Sequence, residues 1–343
     1  MKKLSAITAS AAIALSAAAP LSAVPCAAEY QKKPVRIMCI GDSITDGYGT
    51  AGSYRKFLYN GLTANGYTVD MLGSKGGGWE PVFTDTDTGE SFSYDDENTG
   101  YSGYSIMDYT GRNGIYETLV STGCLSQSPD IVILQIGTND IIDCHEIEAS
   151  GERLSVLISY ILSNISPDSA LFVTTVPNLE PNRQDVYDWF MNYRHSPDWQ
   201  VSYNDETVAE NVQASVDRYN AILRETVSDM QSGHNNLFLG DINSVITDTS
   251  SQLKDGVHPN DTGFQLMGKY WTDMLTEYLG AGSVPENKWR VSDLVKLSGC
   301  LLNKPDIKLI AGDIARYDLD GDSSLSGFDL TLMRSEILDG SVE

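Results

Sequence analysis

Five short apolar runs, each separated from the next by a helix-length segment or longer, constrain this chain more than any other feature. The runs are Val35–Ile40, Thr68–Leu72, Asp130–Ile136, Leu171–Val176 and Asn236–Leu239. Between them lie Tyr54–Asn65, Ile106–Thr122, Glu146–Asn164 and Val208–Met230, and Asp261–Leu279 follows the last run. Apolar, β-branched runs of this length read as buried strands. Their alternation with helical segments predicts parallel strands joined by crossover helices, hence a three-layer α/β domain. In an open sheet of that kind, reactive groups sit outside the carboxyl ends of the strands.

Two long stretches break the alternation. Gly76–Gly103 is rich in Gly, Asp, Ser, Thr and aromatics and reads as irregular. Pro177–Asp205 carries Tyr187, Trp189, Phe190, Tyr193, Trp199 and Tyr203. These aromatics either pack the loops onto the domain or line a groove, since aromatic faces suit both core packing and sugar rings.

Met1-Lys2-Lys3, an Ala/Leu/Ile-rich stretch to Val24 and small residues up to Ala28 have the layout of a secretory signal peptide, 1–28. Its removal takes away Lys2 and Lys3 and no acid, so the net charge of −24 becomes −26. A balance this acidic argues against a nucleic-acid partner, because phosphate binding relies on Lys and Arg clusters. No other segment approaches membrane-spanning length, so the chain is expected to be exported with no membrane partner. Cys39, Cys124, Cys144 and Cys300 remain, too few and too scattered for a disulfide scaffold. Cys39 reads as a small buried hydrophobe. Cys124 and Cys144 flank one strand, and whether they pair stays open.

Gly41-Asp42-Ser43 closes the first strand in a tight turn. A serine there becomes a nucleophile only with a base, an orienting acid and donors for an oxyanion. The chain has four histidines. His258 lies in Asp255-Gly256-Val257-His258-Pro259-Asn260, and an Asp three residues ahead on a turn can reach Nδ1 and leave Nε2 for Ser43. Gly137-Thr138-Asn139-Asp140 follows the third strand, where the Asn139 amide can donate to a developing oxyanion. Gly103, ahead of a helical segment, can supply a backbone N–H. His145 beside Glu146 lacks the spacing of a zinc helix and reads as a helix start. His195 and His234 fall in loops.

Taken together, Gly41-Asp42-Ser43, Gly103, Gly137-Thr138-Asn139-Asp140 and Asp255-Gly256-Val257-His258 resemble the four blocks of the SGNH (GDSL) hydrolases, over about residues 34 to 280. The resemblance implies a flavodoxin-like α/β/α domain with Ser43 as nucleophile, His258 as base and Asp255 as orienting acid. It implies an oxyanion hole built from the N–H groups of Ser43 and Gly103 and the side chain of Asn139. The extended run Gly41-Asp42-Ser43-Ile44-Thr45-Asp46-Gly47 with Ser53-Tyr54-Arg55 resembles carbohydrate esterase family three, which implies deacetylation of xylan, an acetylated polysaccharide.

The composition changes at Gly280. Residues 281–285 read as a linker and 286–343 as a small separate unit. Val291–Leu297 and Gly327–Met333 resemble each other, each with an Asp-Leu pair opening a helix. Between them, Asp318, Asp320, Asp322, Ser326 and Asp329 put oxygen side chains at positions 1, 3, 5, 9 and 12 of a loop, and Ser324 at position 7 offers a carbonyl. That is the pattern of a calcium loop. Ser323 and Asp329 replace the usual Gly and Glu, and the last change with the duplicated helices resembles a dockerin. Gly282, Val284 and Glu286 stand where a first loop would need ligands, so one Ca2+ site is expected intact and one degenerate. The resemblance implies a cohesin partner on a scaffoldin, and a cellulosome-like setting for a secreted acetyl xylan esterase with no catalytic cofactor. The alternatives are an SGNH enzyme acting on another acyl ester, or a non-catalytic binding protein docked through the tail.

Overall fold

The computed structural model describes residues 33–77, 81–84, 89–183, 186, 188, 208–282, 291–302, 304, 317, 319 and 324–339. The leader 1–28, the aromatics Tyr187 to Tyr203, residues 283–285 of the linker and Asp318, Asp320 and Asp322 lie outside them.

Strands β1 (Val35–Gly41), β2 (Val69–Leu72), β3 (Val82–Thr84), β4 (Ser91–Ser93), β5 (Thr99–Gly100), β6 (Ile131–Gln135), β7 (Ala170–Thr174) and β8 (Leu237–Gly240) account for the sheets. The main sheet runs β2-β1-β6-β7-β8, and all of these pairs are parallel. Counting those five strands alone, the order is 2-1-3-4-5, the flavodoxin-like doubly wound order. Its direction reverses between β1 and β6, which places a crevice outside their carboxyl ends.

The helices are α1 (Ser43–Asp46), α2 (Ser53–Ala64), α3 (Ile115–Thr122), α4 (Thr138–Ile142), α5 (Ser150–Asn164), α6 (Val208–Gln231), α7 (Asp261–Gly282), α8 (Val291–Leu301) and α9 (Gly327–Asp339). The strand period of two sorts the apolar residues into two layers. Ile37, Cys39, Ile131 and Ile133 pack with Tyr54 and Leu58 of α2 and with Phe264 and Trp271 of α7. Met38, Ile40, Val132 and Leu134 pack on the opposite face with residues of α3, α5 and α6. The result is the expected α/β/α sandwich. Each such side chain fully removed from water contributes about 1.5–3 kcal/mol, so both faces must be covered.

Three local expectations are corrected, and the open question of Cys124 and Cys144 is answered. Helix α3 begins at Ile115, not Ile106, because the preceding residues bond into a tight loop. Asp108 Oδ1 accepts the Gly114 N–H at 2.5 Å, Ser105 Oγ donates to Met107 O at 2.7 Å, and Tyr109 and Arg112 bridge each other. The stretch Gly76–Gly103 is not wholly irregular. It holds the antiparallel β3–β4 pair, whose Phe83 and Phe92 pack with Phe57 of α2, and it holds β5. Cys124 and Cys144 are buried and form no disulfide. As for His145, α5 starts only at Ser150, and the His145 ring stacks on Tyr109 with centroids 3.7 Å apart.

Two further features matter below. Lys56 is buried on α2 and bonds Asp261 Oδ1, at the start of α7, at 2.8 Å. Helix α7 runs through Gly282, two residues into the expected linker. In the C-terminal segment, Leu297 of α8, Tyr317 and Met333 of α9 form a small core of their own. Buried Asp329 accepts the N–H of Leu319 on Oδ1 and that of Ser326 on Oδ2, both at 2.8 Å.

Candidate active site

The site grows from three strand ends. β1 ends at Gly41, and the chain turns at once into α1, whose cap is Asp42: its Oδ1 accepts the Ile44 N–H at 2.9 Å. Ser43 is therefore the first residue of a short helix, where backbone N–H groups lack intrahelical partners. β5 continues the sheet beside the end of β1, pairing Thr99 with Ile40 and Gly100 with Gly41. That pairing carries the chain straight into Ser102 and Gly103. β6 leads through Gly137 into α4, which carries Asn139. Gly137 has φ +118°, a conformation that L side chains rarely adopt, and a Cβ there would lie 2.0 Å from Tyr219 Oη.

The fourth part comes from just ahead of α7. Asp255 Oδ1 accepts the N–H groups of Val257 (3.1 Å) and His258 (2.8 Å), which curls the segment into a turn. Leu253 and Pro259 bridge its base, and Asn260 Oδ1 caps α7 by accepting the Gly263 N–H at 3.0 Å. The turn aims His258 back at β1. His258 Nδ1 lies 2.8 Å from Asp255 Oδ2, and Nε2 lies 2.8 Å from Ser43 Oγ. With Nδ1–H donating to the carboxylate, Nε2 is the acceptor for the serine O–H.

Ser43, Asp255 and His258 line one cavity of about 610 Å³ together with Gly103 and Asn139. All the residues expected to carry the chemistry thus meet there. Asn139 Nδ2 donates one N–H to Tyr104 O at 2.8 Å, and an amide nitrogen has a second N–H to give. Gly103 has φ +82°, and its N–H has no protein acceptor among the described residues. The neighbouring Gly100 does not compete for this role, because its N–H is taken by Asn98 Oδ1 at 2.9 Å.

The carboxyls around the site differ sharply. Half-burial works to raise Asp255, but the bonds from the His258 ring and from the two N–H groups outweigh it and hold the carboxyl at about 2. Burial pushes Asp42 up to about 6 against the pull of the Ile44 N–H and Thr138. Burial likewise pushes Asp140 up to about 7, only partly offset by Arg153. Asp140 Oδ2 accepts the Ile106 N–H at 3.1 Å, so this buried acid anchors the loop behind Gly103.

Tyr48, Arg112, Ile142 and Val257 also line the cavity and were not anticipated. Tyr48 packs its ring 4.8 Å from that of His258. Arg112 forks onto Asp143, Nε to Oδ2 at 2.5 Å and Nη2 to Oδ1 at 2.6 Å. The sequence signal for Arg112 was a lone cation in the Gly111-Arg112-Asn113-Gly114 turn of an acidic chain. Of the calcium-loop residues, Ser324, Ser326 and Asp329 are described, and Ser326 Oγ reaches Asp329 Oδ2 at 3.2 Å.

An open α/β sheet with a serine–histidine–aspartate series at its switch point is the arrangement of a serine-type ester hydrolase. The chain belongs to the GDSL-like lipase/acylhydrolase family, whose pattern matches residues 37–271. It is 35% identical over 311 residues to a multidomain esterase of Ruminococcus flavefaciens. That alignment takes in 89% of this chain and 35% of the relative, so the chain spans about a third of the curated relative it matches. Among solved structures, a family 3 carbohydrate esterase of Clostridium thermocellum is similar with a TM-score of 0.50 and 24% identity, over 73% of this chain and 98% of that one. A family 3 carbohydrate esterase of Talaromyces cellulolyticus is similar with a TM-score of 0.51 and 19% identity, over 73% of this chain and 100% of that one. At these identities the two structures bear on the fold.

Proposed function

We propose that the α/β domain, 34–280, is a carbohydrate acetylesterase that works by acyl transfer through Ser43. The observation that carries the reading is the unbroken series Asp255–His258–Ser43, with 2.8 Å at each step, opening on the cavity that Asn139 and Gly103 also line. His258 Nε2 takes the serine proton as Oγ attacks the acetyl carbonyl. The N–H groups of Ser43 and Gly103 and the amide of Asn139 receive the oxyanion. The imidazolium gives its proton to the departing sugar oxygen, which leaves as a hydroxyl. Nε2 then takes a proton from a water that attacks the acyl carbon, and the imidazolium returns that proton to Ser43 Oγ as the acyl–serine bond breaks and acetate leaves.

Two features favour a short acyl group on a sugar over a long-chain lipid. Among the described residues, the cavity's aliphatic lining is confined to Ile142 and Val257, whereas a long chain needs an extended apolar channel. Tyr48, which lines the same cavity, is 56% exposed, and a partly exposed aromatic side chain suits a sugar. The two structural neighbours are both carbohydrate esterases, in line with this reading. The test is acetate release from acetylated xylan by the wild type and by Ser43→Ala, with long-chain esters alongside. Release by the wild type alone is expected; a preference for long chains refutes the substrate, and activity surviving in Ser43→Ala refutes the site.

The segment 286–343 is proposed to be a dockerin-like module that holds one Ca2+ through Asp318, Asp320, Asp322, Ser326 and Asp329, with the Ser324 carbonyl, and binds a cohesin on a scaffoldin. In the described part of the loop, buried Asp329 accepts the N–H groups of Leu319 and Ser326, which ties positions 2, 9 and 12 to one another. When bound, the ion would supply folding free energy to the module and no catalytic step. Chelation is expected to weaken cohesin binding and leave ester hydrolysis unchanged. Export through the leader 1–28 belongs to the same proposal. Among the described residues, no helix is long and apolar enough to cross a membrane.

A further inference from the structure

The four residues Tyr101 to Tyr104 are each tied to a different partner. The Tyr101 N–H donates to Gly41 O at 2.9 Å, at the end of β1. Ser102 Oγ donates to Asp46 Oδ2 of α1 at 2.7 Å. Gly103 O accepts from Arg112 Nη1 at 3.1 Å, and Tyr104 O accepts from Asn139 Nδ2 at 2.8 Å. Three of these partners belong to elements that carry the candidate machinery. Arg112 does not, and it is the most firmly held.

Its fork on Asp143 uses both carboxylate oxygens, and the Tyr109 hydroxyl donates to Asp143 Oδ2 at 2.5 Å. Asp143 is buried at the C-terminal cap of α4, the helix that presents Asn139. Arg112 therefore spans from the helix of one candidate oxyanion donor to the carbonyl of the other. The Tyr104 N–H closes the turn around Gly103 on Tyr101 O at 3.1 Å, and the Gly103 carbonyl itself is held by Arg112. Within 4 Å of where its Cβ would be, the neighbour is Arg112 Nη1 itself, at 3.5 Å. Glycine is the residue whose backbone wanders most freely, and an oxyanion donor contributes only when it is already in place.

We propose that Arg112 is a positioning residue for the acyl transfer: forked onto Asp143, it holds the Gly103 carbonyl, and through the Gly103 Cα it limits where the preceding peptide aims the Gly103 N–H relative to the Asn139 amide. The inference rests on the reading of Ser43, Gly103 and Asn139 given above. Its action is geometric, because the charge of Arg112 is already matched by Asp143. A lysine, with a point charge and no planar fork, cannot replace it.

The test measures kcat and KM of the full chain on p-nitrophenyl acetate for the wild type, Arg112→Ala, Arg112→Lys, Asp143→Asn and Ser43→Ala, with and without added methylguanidinium. Both Arg112 variants are expected to lose about 10- to 100-fold in kcat, less than the roughly 10²–10³ that losing a donor outright costs. KM stays within about twofold, since the interaction lost is one made to the transition state. Methylguanidinium restores several-fold activity to Arg112→Ala and none to Arg112→Lys, a response that a merely structural role would not give. Asp143→Asn, which keeps Arg112 but weakens its anchor, loses kcat in the same sense and serves if Arg112→Ala does not fold. Wild-type kcat in Arg112→Ala or Asp143→Asn, a raised KM at unchanged kcat, or full activity in Arg112→Lys overturns the proposal. Activity surviving in Ser43→Ala overturns the underlying site; an inert Ser43→Ala beside a wild-type-like Arg112→Ala overturns this inference alone.

Discussion

Replacing Asp255 by Asn exchanges a single heavy atom and should disable the site. Asn keeps the size of Asp, and its Oδ1 can still accept the N–H groups of Val257 and His258 that shape the turn. The other oxygen, now 2.8 Å from His258 Nδ1, becomes an NH2. A donor facing Nδ1 favours the tautomer with the proton on Nε2. That proton then points at Ser43 Oγ, 2.8 Å away, and the ring cannot take the serine's own. A frozen tautomer of this kind costs about 10⁴ in kcat, or about 5 kcal/mol. Stability changes far less. The carboxyl is lowered from an ordinary 3.8 to about 2, which corresponds to about 2 kcal/mol in favour of the folded carboxylate. Because the folded value is the lower one, that stabilisation is fully present above the ordinary carboxylate range. It is lost as pH falls through about 2. The variant should therefore unfold about 2 kcal/mol more easily at neutral pH, with the gap narrowing as pH falls from about 4 toward 2. Acetyl ester hydrolysis gives the first number and urea unfolding at several pH values gives the second. A kcat within tenfold of the wild type would refute the tautomer argument, and a stability gap independent of pH would refute the charge argument.

Asn139→Ala removes a candidate oxyanion donor and should cost about 3 kcal/mol of transition-state stabilisation, read as kcat; an unchanged kcat excludes the role. Gly137→Ala would drive a methyl to 2.0 Å from Tyr219 Oη, whose hydrogen bond to Ile136 O (2.7 Å) must then break. Strain, overpacking and an unsatisfied buried carbonyl together should destabilise the domain by about 3–5 kcal/mol, and a loss under 1 kcal/mol in urea unfolding would contradict this. Asp42 is raised to about 6 in the fold, so the folded state keeps a proton that the unfolded chain releases, and stability declines as pH rises from about 4 to 6. Asp42→Asn should flatten that part of the stability–pH curve, and an unaltered slope would count against the burial argument.

The strands were legible because apolar β-branched runs in a doubly wound sheet are covered on both faces. Asp255, His258 and Ser43 were legible because each lies in a turn whose local chemistry is written in adjacent residues. Arg112 and Asp143 were not, because their roles arise from contacts 31 residues apart that no local period announces. The start of α3 was missed for a related reason. The side chains of Ser105 and Asp108 compete for backbone partners within an otherwise helical-looking segment. The β3–β4 pair was hidden because each strand is three residues long and is held mainly by Phe57 across the chain.

The 215 residues that separate Ser43 from His258 have a consequence for assembly. Helix α2, just after the serine, packs on α7, just after the histidine, and Lys56 joins Asp261 across 205 residues. Closing a loop of that length costs about 5 kcal/mol of chain entropy beyond a constant, to be recovered only once the two helices have docked. A chain that has formed its central strands and early helices but not seated α7 has most of its hydrophobic core and no working centre. Regained hydrolysis during refolding therefore times the closure of this long loop. It should trail the return of helical signal by the interval that this one high-contact-order step requires.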